Sequence, residues 1–247
     1  GKENQQLELE NGSMLGYAEW GDPSGRPVFH FHGSSSSRLE HPPDPDMLSG
    51  IRLITIDRPG HGLSDFRYGW RLLDWTDYVV ALADHLSIDS FAVMGWSFGG
   101  PYALACAFKI PERLFGVGLI SSFAPYDRPG ATDGMPGFSK LALGMARRAP
   151  WWLARRFMGI QGRALLKDPE GVARQILSSV PEADREVLED PAVKATLLPA
   201  MSEAYRSGAD GAAWEGAMLV RPWGFRLEDI RIPVHVWHGD ADVNNPL

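Results

Sequence analysis

Val93-Met94-Gly95-Trp96-Ser97-Phe98-Gly99-Gly100 decides how the rest of the chain is read. An apolar run with strand character delivers a serine between two glycines and straight into the helical pattern of residues 101–110. That is G-x-S-x-G in a strand–turn–helix context, the nucleophile elbow. Such a turn forces the serine into a strained backbone conformation, and a Cβ at Gly95 or Gly99 would collide with the neighbouring strand or helix. Ser97 Oγ then stands clear of the sheet. The N–H of Phe98, unpaired at a helix start, points toward charge developing on a substrate oxygen. A bare G-x-S-x-G also occurs at purely structural turns, so the flanking strand and helix carry the reading.

Working outward, Leu7 to Glu10 and Met14 to Trp20 read as an antiparallel hairpin around Asn11-Gly12. Val28 to Phe31 is a third strand, running into His32-Gly33, and a short helix around Leu39 is expected before His41-Pro42-Pro43-Asp44-Pro45 stops it. Arg52 to Ile56 is a fourth strand. Asp74 to Leu86 has helical spacing in Trp75, Tyr78, Val79, Leu82 and Leu86, with Asp74 as N-cap. Phe91 to Trp96 is strand, Gly100 to Lys109 helix, and Leu114 to Ser121 strand. Strands alternating with helices over short loops imply a parallel sheet covered on both faces. From about Arg128 to Glu228 only helical stretches rich in Met, Trp and Arg follow, until Val234-His235-Val236-Trp237 restores a strand. The division expected is core over 1–127, helical cap over 128–228 and core continuation over 229–247. Ligands bind at the carboxyl edge of open α/β sheets, so the insertion is placed there as a lid.

Composition narrows the function. The 247 residues are 44 % hydrophobic, with a formal net charge of −7 and one cysteine, Cys106. That charge argues against a nucleic-acid surface. The lone cysteine excludes an internal disulfide and fits a buried hydrophobe better than a reactive thiol. No stretch approaches a membrane span and the start is polar, so a cytoplasmic setting without membrane insertion is expected. No metal-ligand spacing or G-x-G-x-x-G pattern occurs, and neither metal nor cofactor is expected. The expected partner is a small apolar molecule, with a homodimer left open.

With the elbow, the strand order and the insertion together, the chain resembles the α/β-hydrolase fold superfamily, in its serine branch with a helical lid. Besides Gly95 to Gly100, the resemblance rests on His32-Gly33 after the third strand, Asp57-Arg58-Pro59-Gly60-His61-Gly62-Leu63-Ser64 after the fourth, and His238-Gly239-Asp240-Ala241-Asp242 after the last. It implies a mostly parallel sheet flanked by helices, with the cap inserted after the sixth strand. It implies Ser97 as nucleophile and the N–H of Phe98 as half of the oxyanion hole. The other half falls to the N–H of Ser34, although Ser35-Ser36 stand where relatives often carry proline-glycine, and Ser35 is an alternative donor. His32 is read as bracing this loop, and Asp57 to Ser64 as a structural turn.

For the triad acid the resemblance points to Asp242, which would orient the base and stabilise the imidazolium. Asp240 is the nearest rival, and some relatives would point to Asp127. The order Ser, acid, His places the base after Asp242. All seven histidines, at 30, 32, 41, 61, 85, 235 and 238, precede it. The catalytic histidine is therefore expected downstream of Leu247, on a final strand and helix that this chain does not contain. The expected activity is carboxylesterase-like cleavage of a small apolar ester. The same fold hosts C–C bond hydrolases, peptidases and cofactor-free haloperoxidases, and a non-catalytic ligand sensor is the alternative from another class. Trp151, Trp152, Phe157, Met158, Trp214, Met218 and Trp223 are candidates for an apolar pocket, or for packing of the lid helices. Arg147 to Arg156 reads either as a membrane-grazing basic helix or, by preference, as a solvated basic face over packed apolar side chains.

Overall fold

The computed structural model describes residues 2–126, 132–133, 140, 144, 147–178, 180–240, 242 and 245. Seven strands form one sheet: β1 (Lys2–Glu8), β2 (Met14–Gly21), β3 (Arg26–Phe31), β4 (Ile51–Ile56), β5 (Phe91–Trp96), β6 (Leu114–Ile120) and β7 (His235–Trp237). Their order is β1-β2-β4-β3-β5-β6-β7, antiparallel as far as β4 and parallel from β4 onward. From β3 the chain goes first to one side, as β4, and then to the other, as β5. That reversal opens a crevice at the carboxyl ends of β3 and β5.

The sheet is flanked by helices α1 (Trp75–His85) and α2 (Gly100–Lys109). Phe29, Phe31, Ile54, Ile56, Phe91 and Val93 are buried with Trp75, Val79 and Leu82 of α1. Nearly all of α2 is buried, Cys106 included, and burial raises that thiol's pKa. Among the described residues, the helices with full limits between β6 and β7 are α3 (Trp151–Lys167), α4 (Pro169–Leu177), α5 (Glu182–Glu189), α6 (Pro191–Ala204) and α7 (Asp210–Leu219). No described helix is long and apolar enough to cross a membrane.

Four local expectations change. β1 starts five residues earlier than its apolar pattern, because Lys2 to Gln6 pair with β2 as an exposed edge that needs no hydrophobic alternation. No helix forms at Leu39. The backbone N–H of Arg38 is instead taken by Asp57 and that of Gly33 by Glu40, which hold this segment as a folded loop. Asp74 stands at the N-cap of α1 without capping it; its carboxylate accepts from Arg71 N at 2.9 Å, closing the preceding turn. β7 begins one residue later than expected and is exposed along its length, with Val236 and Trp237 open to solvent.

Candidate active site

Ser97 opens a tight turn (Ser97–Gly99) between β5 and α2, with φ +52°, in the left-handed region that L-residues avoid. Its carbonyl accepts from Phe123 N at 3.0 Å and from Gly100 N, so the backbone is pinned on two sides. A Cβ on Gly95 would stand 2.6 Å from Gly100 N, and one on Gly99 would stand 2.7 Å from the carbonyl carbon of Phe31. The two glycines permit the close approach that makes the turn sharp.

Ser97 borders a cavity of about 640 Å³ above the carboxyl ends of the parallel strands. Gly33 and Ser34 after β3, Ser121 after β6, and Asp240, Asp242 and Asn245 after β7 border the same space. Ser97, Ser34 and Asp242 therefore meet at one cavity, whereas Phe98 does not line it and packs its ring on Phe123. None of the seven histidines lines the cavity.

The loop after β3 is held by buried charge. Arg58, fully buried, donates from Nη1 to the carbonyl of His32 at 2.5 Å and from Nη2 to that of Gly33 at 2.9 Å. Glu40 accepts from Gly33 N at 3.2 Å and meets His30 Nε2 at 2.7 Å. In a trans peptide the C=O and the following N–H point in opposite directions. Anchoring the Gly33 carbonyl on Arg58 thus turns the N–H of Ser34 away from the guanidinium. Ser35, at φ +50°, joins its hydroxyl to Tyr205 Oη at 2.9 Å.

The charge of Arg58 is met by Glu215 of α7, whose carboxylate accepts from Nη2 at 3.1 Å, faces Nε, and accepts from Tyr102 Oη at 2.7 Å. Burial and that carboxylate push the Tyr102 hydroxyl pKa well up. His61 lies 3.8 Å from Glu215, yet burial, outweighing the carboxylate, lowers its pKa from 6.5 to about 4. His32 donates from Nδ1 to Gly33 O at 2.9 Å, and burial beside Arg58 and His61 holds it well below the usual imidazole value. Both rings are neutral at pH 7. His32 thus stands as a brace within this loop. Arg38 bridges Asp57 at 2.9 Å and Glu203 of α6 at 2.7 Å. The Asp57 to Ser64 segment is more than a turn: it carries the ionic hub beneath the loop. Glu215 and Tyr102 escaped the sequence reading, and Arg58 entered it only within a structural turn. A lone Asp-Arg pair was the only visible signal, and its partners lie up to 157 positions away.

On the opposite wall, Asp242 is half-buried, accepts from Asn245 N at 2.9 Å and lies 3.6 Å from His238 Nε2. Asn245 in turn donates to Ser121 O at 3.0 Å, tying this loop to the end of β6. Burial and the charge of Asp242 raise the Tyr126 hydroxyl pKa. Asp240 borders the cavity but is exposed. Asp127 lies outside the described residues. The His238 ring is turned to the carbonyl of Asn245.

Of the two readings of the large lid residues, pocket lining or packing, the cavity wall excludes the first. Ile176 of α4, Val187 and Leu188 of α5, and Leu197 and Met201 of α6 supply the apolar wall. None of the seven large residues singled out in the sequence touches the cavity. Trp151, Trp214, Met218 and Trp223 border a separate cavity beside Trp70, while Trp152 and Phe157 are exposed. The wall is built from aliphatic and methionine side chains on three different helices, which leave no clustered apolar signal in the sequence. Among the described residues no group of three side chains is arranged to hold a metal ion.

Comparison with known proteins agrees with this architecture. The chain is 32 % identical over 114 residues to a pimeloyl-[acyl-carrier protein] methyl ester esterase of Legionella pneumophila, a match spanning 44 % of this chain and 45 % of that protein. The protein of the same name from Aromatoleum aromaticum is 30 % identical over 205 residues, 82 % of this chain and 74 % of its own length. A thermophilic esterase from Thermogutta terrifontis superposes with a TM-score of 0.68 at 21 % identity, covering 98 % of this chain and 82 % of that one. At that identity the superposition speaks for fold alone. Residues 28–246 match the alpha/beta hydrolase family, and the chain belongs to it.

Proposed function

We propose that the protein is a serine hydrolase cleaving a small, largely apolar carboxylic ester through an acyl-enzyme. One observation carries the reading: Ser97, strained at φ +52°, borders the same cavity as Ser34 and Asp242. Ser97 Oγ attacks the ester carbonyl while its proton passes to a histidine oriented by Asp242. The N–H groups of Phe98 and Ser34 hold the oxyanion, and collapse expels the alcohol, which takes the proton back. Water then releases the acid by the same steps. The esterases among the relatives support this chemistry.

The histidine is assigned to a segment after Leu247. Two facts support this: the seven histidines present stay off the cavity, and β7 ends the sheet with no further strand beside it among the described residues. Helices α4 to α6 act as the lid. The cavity's size suits a small ligand. Its described walls carry Glu40, Asp184, Asp240 and Asp242 but no Lys or Arg, which favours a neutral ester over a substrate with a free carboxylate near the reacting carbonyl.

Intact protein treated with a fluorophosphonate probe should carry one adduct, mapped to Ser97 by mass spectrometry, and Ser97→Ala should abolish it. Among p-nitrophenyl esters, neutral acyl chains should turn over and dicarboxylate half-esters should not. A folded protein with no adduct at residue 97 removes the hydrolase reading and leaves a ligand-binding one.

A further inference from the structure

Helix α3 buries little of itself. Gly162 and Leu165 face inward, where Leu165 packs with Tyr205 and Ala209, but Trp152, Leu153, Phe157, Ile160 and Leu166 are 64, 45, 58, 53 and 52 % exposed. At helical spacing Leu153, Phe157, Ile160 and Ala164 fall in one strip, at i, i+4, i+7 and i+11, and Arg156, Arg163 and Lys167 fall in the strip beside it. The expectation of a basic face over packed apolar residues therefore fails: the apolar strip is outside too. Pro150 starts α3 afresh at Trp151, and the face that packs inward carries Met158, Gly162 and Leu165.

The charge is as lopsided as the hydrophobicity. Gly134 to Lys167 holds seven of the chain's 24 Lys and Arg and no Asp or Glu; the remaining 17 stand against 31 acidic residues. A groove of about 630 Å³ along α3 is bordered by Trp152, Arg155, Arg156, Ile160, Arg163 and Leu166, with no carboxylate. Arg155 is engaged by Asp210, whereas Arg156 and Arg163 form no ion pair among the described residues. A solvated helix would not expose Trp, Leu, Phe and Ile together, and a second copy would bring two basic strips face to face.

We propose that α3 docks the protein on an anionic lipid surface, its apolar strip entering the boundary between headgroups and acyl chains and Arg156, Arg163 and Lys167 meeting lipid phosphates. The acidic remainder of the molecule is repelled by the same surface, which fixes the orientation. This docking does not depend on the proposed chemistry at Ser97.

Co-sedimentation with vesicles of phosphatidylcholine containing phosphatidylglycerol, against vesicles of phosphatidylcholine alone, tests it. The protein should pellet with the anionic vesicles, be released by salt, and stay in solution with the neutral ones. Arg156→Glu with Arg163→Glu should weaken binding by more than about tenfold, since each basic residue near such a surface contributes about fivefold. Phe157→Ser with Ile160→Ser should weaken it as well and remove the blue shift of tryptophan fluorescence on binding. All four positions are exposed, and thermal melts verify that the variants fold. Wild type left in the supernatant of anionic vesicles overturns the proposal, as do variants that bind as wild type does. So does a sedimenting dimer abolished by the serine pair without any vesicle binding.

Discussion

At the scale of a residue, Ser97 shows how position can outweigh comfort. Its left-handed backbone costs on the order of 1 kcal/mol or more for any residue with a Cβ, and the neighbouring backbone keeps it there. Ser97→Gly should therefore raise stability by about 1 kcal/mol in urea unfolding while erasing turnover and probe labelling. A melt lower than wild type would mean that the turn is not strained. This much was legible in the sequence, because glycines at 95 and 99 are punctuation that close backbone contact demands. The φ of Ser35 was not legible, since serine at +50° leaves no compositional trace.

At the scale of an element, the buried strands and flanking helices were read to within a residue or two of their ends, because burial imposes a period on them, whereas the exposed edge strand β1 was not. β5 and α2 match their sequence limits, and β4 and β6 differ by one residue. The helices after β6 were legible only as helices; which faces close the cavity was not, since that depends on how they dock. The link from α7 to the loop after β3 is a case in point. Glu215→Ala removes the counter-charge of buried Arg58, and a broken buried pair costs about 3–5 kcal/mol. If Arg58 is what orients Ser34 N–H, the folded variant should lose kcat more than tenfold with KM little changed. Glu215→Gln, which keeps an acceptor for Tyr102, should recover part of it. Equal losses in kcat and 1/KM, or none, would reduce the pair to a purely structural role.

At the scale of the whole molecule, the buried imidazoles make stability respond to acid. An unfolded His61 titrates near 6.5 and the native one near 4, so between those values the unfolded chain holds a proton that the native state refuses. Stability falls as pH drops through that window, by on the order of 3 kcal/mol for His61, with His32 acting in the same direction. Urea midpoints measured from pH 7 to 4 should show a steeper decline for wild type than for His61→Gln; parallel curves would contradict the assignment. Family and topology were legible from four motifs in order, while the ionic hub was not, because charge partners separated by most of the chain leave no local pattern. That hub has a mechanical meaning. Tyr205, Glu203 and Glu215 bolt α6 and α7 to the loop carrying Ser34, whereas α4 and α5 rest mainly on neighbouring helices. On the proposed reading of these helices as a lid and of Ser34 N–H as an oxyanion donor, a guest admitted past α4 and α5 would leave the anion cradle undisturbed.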